Sequence, residues 1–116
     1  MGYYTNFELT MHPQPAEDLE VAIIRDILAL KYEIDPAEVR LRDVEWFLSD
    51  SLKWYNHEEH MIEISKKYPN IVFVLHGEGE ENGDIWNEYY CAGECERVDA
   101  QIIFPAPQNP KFQNLL

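Results

Sequence analysis

The chain has 116 residues and is strongly acidic, with 22 Asp and Glu against 9 Lys and Arg and a formal net charge of −13. This balance argues against direct binding of nucleic acid or of anionic membranes, because both repel carboxylates. The hydrophobic fraction of 46% is ordinary for a globular protein, and the length suits one domain. No apolar run reaches the ~20 residues of a membrane span and no secretory signal is seen, so we expect a cytoplasmic protein.

The first half of the chain predicts a strand, a helix and a second strand. Residues 3–11 alternate between apolar and polar side chains, which is typical of a half-buried strand. Apolar residues recur every three or four positions over residues 16–32, which predicts an amphipathic helix. Residues 35–38 combine a capping aspartate, a proline and a glutamate, which predicts a short helical turn. Residues 43–49 alternate again, and we expect a second strand there.

The second half predicts one helix and three strands. Residues 56–68 have the capping and apolar spacing of a helix that ends before a proline. Residues 71–75 are apolar on both faces, as expected for a strand in the centre of a sheet. Residues 84–92 and 95–104 predict a hairpin. Three prolines from residue 105 onwards predict an extended tail over residues 105–116.

This order of elements predicts a single α+β domain over residues 1–104. Two helices would pack on one face of a mostly antiparallel sheet, because each helix has one apolar stripe to bury. A ferredoxin-like arrangement is the natural candidate for such an order of strands and helices.

The acidic charge is concentrated in residues 76–99, which hold eight carboxylates against one arginine. Aromatic residues are interleaved with these acids. Such a surface attracts basic protein surfaces, and aromatic side chains are frequent anchors of interfaces. The simpler interpretation is that the aromatics belong to the core and the acids serve solubility. The partner-binding residues predicted by the first interpretation are Glu78, Glu80, Glu81, Asp84, Trp86, Glu88 and Tyr89.

Two histidines suggest an alternative, metal-dependent site. His57 and His60 are three positions apart, so they share a helix face with nearby glutamates, and one more ligand would complete a zinc or nickel site. The spacing differs from that of HExxH metalloproteases, and a solvated helix face explains it more simply. Cys91 and Cys95 lie among glutamates, which disfavour a reactive thiolate. We therefore expect no metal, no cofactor and no catalytic residue.

One stretch of the chain resembles a known family. Residues 51–55 contain a tryptophan and precede a helix, whose end at 65–69 is a Tyr-Pro turn that leads into the strand 71–75. A turn rich in glycine and glutamate follows over residues 77–86. This succession resembles small proteins encoded by bacteriophages and plasmids and, more distantly, the YubB-like ferredoxin-like domains of mobile elements. The resemblance spans residues 43–104 and implies a phage-type origin and a ferredoxin-like fold, but no activity.

These observations together predict a non-enzymatic, phage-type protein of the host-cell cytoplasm that acts through protein–protein interaction. Its carboxylates would mimic nucleic acid and occlude the basic groove of a host protein that handles nucleic acid. Such a protein would be an inhibitor of a defence system such as CRISPR or restriction. The alternatives are a small metal-dependent or ligand-binding enzyme and a homodimeric accessory protein without catalysis.

Overall fold

The computed structural model describes residues 3–115, which form a four-stranded sheet and three α-helices. Within the described residues, no helix is long and apolar enough to cross a membrane. The elements, in chain order, are β1 (Asn6–His12), α1 (Glu17–Tyr32), α2 (Leu41–Glu45), α3 (His57–Lys67), β2 (Val72–Glu78), β3 (Ile85–Cys91) and β4 (Glu94–Asp99). Two short 3₁₀ turns lie at Pro36–Glu38 and Gln113–Leu115.

The sheet is antiparallel throughout, and its strands follow the chain order β1-β2-β3-β4. Buried residues of α1 and α3 pack against one of its faces. The predicted α+β class, with two helices on an antiparallel sheet, is therefore confirmed. The connectivity differs from the β-α-β-β-α-β order of a ferredoxin-like domain, because all three helices lie between β1 and β2.

Residues 43–49 form the end of α2 and a following turn, so the strand predicted there is wrong. Val44 is buried against α1 and Val39, a contact that one helical turn provides. Trp46, which the alternation assigned to the same buried face, is 64% exposed. A seven-residue alternating pattern cannot by itself distinguish a strand from a short surface helix. A strand buries every second side chain and a surface helix about every third, and over seven residues the two spacings look alike.

The remaining predicted elements are present, with shifted ends. The helix predicted at 16–32 begins one residue later. The predicted strand 95–104 ends at Asp99, and the backbone N–H of the next residue, Ala100, donates the last hydrogen bond to β3, to Ile85 O at 2.8 Å. Residues 100–108 lack regular structure, and Phe104 is 89% exposed.

One hydrophobic core fills the space between the sheet and the two longer helices. Ile23 and Ile27 of α1 and Met61 of α3 are fully buried. They share this core with side chains from the first three strands, which are Phe7, Met11, Phe73, Leu75, Trp86 and Tyr90. The helix-facing side of the sheet is thus the apolar side that the alternation of β1 predicted.

A polar contact also fixes α3 relative to α1. The Tyr68 hydroxyl donates a hydrogen bond to Asp26 Oδ2 at 2.5 Å, and Lys67 Nζ lies 2.9 Å from the same oxygen. Burial and the hydrogen bond to Asp26 raise the pKa of Tyr68 to about 12, so the phenol stays a donor at physiological pH. By fixing the end of α3, this contact also helps to position its first residue, His57, over the sheet.

Gly77 allows an indole ring to lie against the backbone of the sheet. Gly77 pairs with Trp86 across β2 and β3, and a Cβ at Gly77 would come within 2.4 Å of the indole. The guanidinium carbon of Arg97 lies 4.4 Å from the centroid of the same ring, and Phe7 meets it edge-on. These contacts fix Trp86 in one position on the helix-facing side.

We expect Gly77→Ala to lower the free energy of unfolding by about 1–3 kcal/mol, the usual cost of overpacking a buried site. The added methyl group would collide with the Trp86 ring, so the ring would have to leave its contacts with Phe7 and Arg97. Thr10→Ala, an exposed strand position, is the matched control and should stay within about 0.5 kcal/mol of the parent protein. Denaturant unfolding of both variants measures the difference, and equal midpoints would contradict the described packing.

Candidate functional site

Strand β3 divides the predicted partner-binding residues between the two faces of the sheet. Side chains alternate along a strand, so Trp86 and Glu88 face the helices while Tyr89 faces the other side. Trp86 is 6% exposed and Glu88 is 2% exposed, whereas Tyr89 is 38% exposed. Burial takes Trp86 and Glu88 out of the exposed acidic surface, so we correct their assignment to a charged docking surface.

The buried Glu88 carboxylate is the centre of a hydrogen-bond network. Trp86 Nε1 donates to Glu88 Oε2 at 2.5 Å, and the Tyr90 hydroxyl donates to Oε1. The imidazole of His57, the first residue of α3, places Nδ1 at 2.8 Å from the same Oε1. Two partners therefore come from the same strand face and one from the helix above it. Together they satisfy a charge that would otherwise be costly to bury.

The network also sets the ionisation of its members. Burial raises the pKa of the Glu88 carboxyl, but the hydrogen bonds from His57, Tyr90 and Trp86 and the charge of His57 together lower it below the ordinary 4.5. Burial and the bond to Glu88 raise the pKa of Tyr90. At neutral pH the network therefore consists of a carboxylate with donors around it.

We expect Glu88→Gln to lower the free energy of unfolding at neutral pH by about 1–3 kcal/mol, because three donors lose a charged acceptor. The pKa of Glu88 is lowered in the folded protein, so its contribution is present above the unfolded value and is lost as the pH falls below about 4.5. The parent and variant curves of stability against pH should thus converge in acid. Glu96→Gln, an exposed position on β4, is the control and should leave stability within about 0.5 kcal/mol at neutral pH.

The acidic turn between β2 and β3 is fastened to the N-terminal segment. The Tyr3 hydroxyl donates to the Asp84 carboxylate, and the backbone N–H of Tyr4 donates to Glu80 Oε1 at 2.7 Å. Asp84 is partly buried by this contact, while Glu80 and Glu81 stay exposed at the turn. Asp84 and Glu80 therefore each have a partner in the N-terminal segment, and both glutamates remain exposed to solvent.

The second face of the sheet carries no helix among residues 3–115. Val74 and Tyr89 pair at its centre, and Val98 beside them is 47% exposed. Exposed glutamates surround this apolar centre, and no Lys or Arg occupies a strand position on this face. We name it the acidic face and define it by Glu8, Val72, Val74, Glu78, Tyr89, Glu94, Glu96 and Val98.

The two histidines considered for a metal site are not brought together. His57 contacts Glu88, whereas His60 Nδ1 accepts a hydrogen bond from Trp54 Nε1 at 3.0 Å. Burial lowers the pKa of His60, which keeps its ring an acceptor. In the part of the chain that the structure describes, no group of three or more His, Cys, Asp or Glu side chains has the arrangement of a metal site.

The two cysteines point to opposite sides of the β3–β4 hairpin. Cys95 pairs with Tyr90, on the helix-facing side, and Cys91 alternates to the acidic face. Both are free thiols, and burial raises the pKa of Cys95. A protonated, half-buried thiol is a poor nucleophile, so Cys95 is not suited to nucleophilic catalysis.

The sequence interpretation missed two features of the site. Glu8 lies on β1, far along the chain from the acidic stretch, and only strand pairing with β2 brings it beside His76 on the acidic face. The partner of His57 was also missed, because Glu88 lies 31 residues away in sequence. The alternation of β3 was a usable signal, since it already placed Glu88 and Tyr89 on opposite faces.

No protein-family model matches this chain, and no curated protein or solved structure matches it either. The resemblance to YubB-like domains therefore stays a prediction. The function has to be argued from the geometry and charge of the described residues.

Proposed function

We propose that this chain is a non-catalytic binding protein whose acidic face docks on the basic surface of another protein. The observation that supports this is the composition of the face, where four glutamates surround an apolar centre and no Lys or Arg occupies a strand position on that face. A net charge of −13 extends the attraction beyond the contact itself.

The layout of the acidic face suits a protein interface. Interfaces have an apolar centre and a polar rim, and tyrosine is frequent among the residues that contribute most to binding. Val74 and Tyr89 supply such a centre on the two middle strands, and Glu78 and Glu96 supply part of the rim. The strands present these groups on a rigid surface, so little side-chain freedom is lost on binding.

The partner is proposed to be a protein that handles nucleic acid. Such a protein lines its groove with Lys and Arg, and the carboxylates that β1, β2 and β4 place on one face offer a set of negative charges to that groove. The exposed Glu80 and Glu81 at the end of the sheet extend this set. Docking would block the path of the nucleic acid. Self-association through the acidic face is disfavoured, because it would bring two sets of glutamates together.

The wider proposal is a phage-type inhibitor of a host defence system such as CRISPR or restriction, acting in the host cytoplasm. The charge and the resemblance of residues 43–104 to phage and plasmid proteins support it. Co-purification of the tagged chain from a bacterial host tests it. Recovery of a basic nucleic-acid-handling protein, with loss of its nucleic-acid binding in the complex, is the expected result. A partner that still binds nucleic acid in the complex would contradict the occlusion mechanism.

We expect the association rate constant with such a partner to fall by roughly tenfold or more at high salt. The screening length shortens from ~8 Å at physiological ionic strength to ~3 Å at 1 M, so the long-range attraction between opposite charges is lost. Stopped-flow or surface-binding kinetics over a salt series measures the effect. A rate constant that does not change with salt would mean that an apolar interface carries the binding.

We expect the triple variant Glu8→Gln, Glu78→Gln, Glu96→Gln to bind the partner about tenfold more weakly or worse. Its stability should change by no more than about 0.5 kcal/mol per site, because these side chains are solvated and repel one another. Thermal unfolding and binding measurements on the same sample separate the two effects.

The matched control removes three glutamates from α3, on the opposite side of the molecule. The variant Glu58→Gln, Glu59→Gln, Glu63→Gln has the same net charge as the first variant, and its exposed positions lie away from the acidic face. It should keep most of the affinity of the parent chain. Equal losses in the two variants would show that total charge, not the acidic face, attracts the partner.

A further inference from the structure

A cleft on the helix-facing side of the sheet has no part in the proposed docking. Tyr3, Tyr55 and Arg97 line its mouth, and Trp86 and His57 line its deeper wall. The cleft encloses about 240 Å³, below the ~300 Å³ at which pockets for drug-sized ligands begin. A space of this size suits one small ring rather than a cofactor.

The buried carboxylate fixes the form of the imidazole in this wall. An ionised carboxylate only accepts hydrogen bonds, so the contact between Glu88 Oε1 and His57 Nδ1 requires a proton on Nδ1. In the neutral ring the other nitrogen, Nε2, then carries a lone pair and is an acceptor. Glu88 is held in place by Trp86 and Tyr90, so the orientation of His57 is fixed before any ligand arrives.

The acceptor nitrogen has no protein partner among residues 3–115. The His57 side chain is 17% exposed and lines the cleft, and its one described hydrogen bond is the contact with Glu88. Burying the Glu88 carboxylate costs free energy, yet the nitrogen that it orients, His57 Nε2, is left open to the cleft. A purely structural role would be served as well by an apolar pair of similar size.

The other walls define what can lie next to His57. The ring of Phe7 lies 5.3 Å from the His57 imidazole and that of Trp54 lies 6.1 Å from it, centroid to centroid. Aromatic walls favour a further ring in edge-to-face or offset contact. An acceptor nitrogen at the same place requires an O–H or N–H group on that ring.

We propose that this cleft binds a single aromatic ring that carries an O–H or N–H group, which donates a hydrogen bond to His57 Nε2. His57 is the ligand-contacting residue, and Glu88 is a positioning residue that keeps the acceptor lone pair on Nε2 while the imidazole is neutral. Two sources share this chemistry, a free phenolic molecule and the tyrosine side chain of a peptide. The site lies on the opposite side of the sheet from the acidic face, so the two proposals are independent.

The test is an NMR titration of the full chain with p-cresol and with 4-methylanisole, its methyl ether. The two probes have the same ring, but the ether has no hydrogen to donate. We expect p-cresol to bind about tenfold more tightly, the value of one good hydrogen bond. The imidazole Nε2 resonance of His57 should shift with p-cresol and not with the ether, and the indole N–H of Trp86 should shift with both.

Variants separate the hydrogen bond from the fold. His57→Phe keeps a ring against Phe7 and should bind the two probes equally. Glu88→Gln should redistribute the proton between the His57 nitrogens, visible in their ¹⁵N shifts, and reduce the preference for p-cresol. His76→Asn, which removes a histidine from the acidic face, is the control and should change neither affinity. If His57→Phe does not fold, Tyr55→Ala tests the cleft through an exposed residue and should weaken both probes.

A further titration, with the blocked peptides Ala-Tyr-Ala and Ala-Phe-Ala, distinguishes a free phenolic molecule from a tyrosine side chain as the source of the ring. Tighter binding of the tyrosine peptide than of p-cresol indicates a partner side chain, and weaker binding indicates a free phenolic molecule. Either result supports the site if the tyrosine peptide binds more tightly than the phenylalanine peptide, or if p-cresol binds more tightly than its ether. Absence of saturable shifts at His57 with p-cresol and the tyrosine peptide, or equal affinity for both members of each pair, would overturn the proposal.

Discussion

The burial of one carboxylate, Glu88, constrains the rest of this structure. A charge that is 2% exposed has to be satisfied from all sides, and its donors come from two positions on its own strand and from the first residue of α3. The network therefore fixes the rotamer of Trp86, the start of α3 over the sheet and the form of the His57 ring. The pH dependence of stability and the geometry of the cleft both involve this one group.

The sheet separates two kinds of chemistry by strand alternation alone. Its helix-facing side holds the core, the Glu88 network and an aromatic cleft, and the other side holds glutamates around Val74 and Tyr89. Because the two sides share strands but not side chains, substitutions on one side should leave the other intact. A single small domain in this way carries an acidic face and a ring-sized cleft on opposite sides of one sheet.

The carboxylates of residues 76–99 are close in sequence, but the fold places them in different surroundings. These eight carboxylates do not form one surface, because Glu88 is buried, Asp84 is bonded to Tyr3, and Glu78 points to the acidic face. The face gains Glu8 from the far edge of the sheet instead. Local charge density predicted an attraction for basic partners, but strand pairing decides which carboxylates are presented together.

The sequence by itself determined the α+β class, the helix near residues 16–32 and the central strand near 71–75, because periodicity and apolar runs are local properties. The prediction from sequence failed at residues 43–49, where the alternating residues form the end of a helix and a turn, and where Val44 is buried. Only the tertiary structure decided that Glu88 is a buried acceptor, since its partner His57 is 31 residues away and reaches it through the docking of α3. Such contacts depend on register and helix position, which no local pattern encodes.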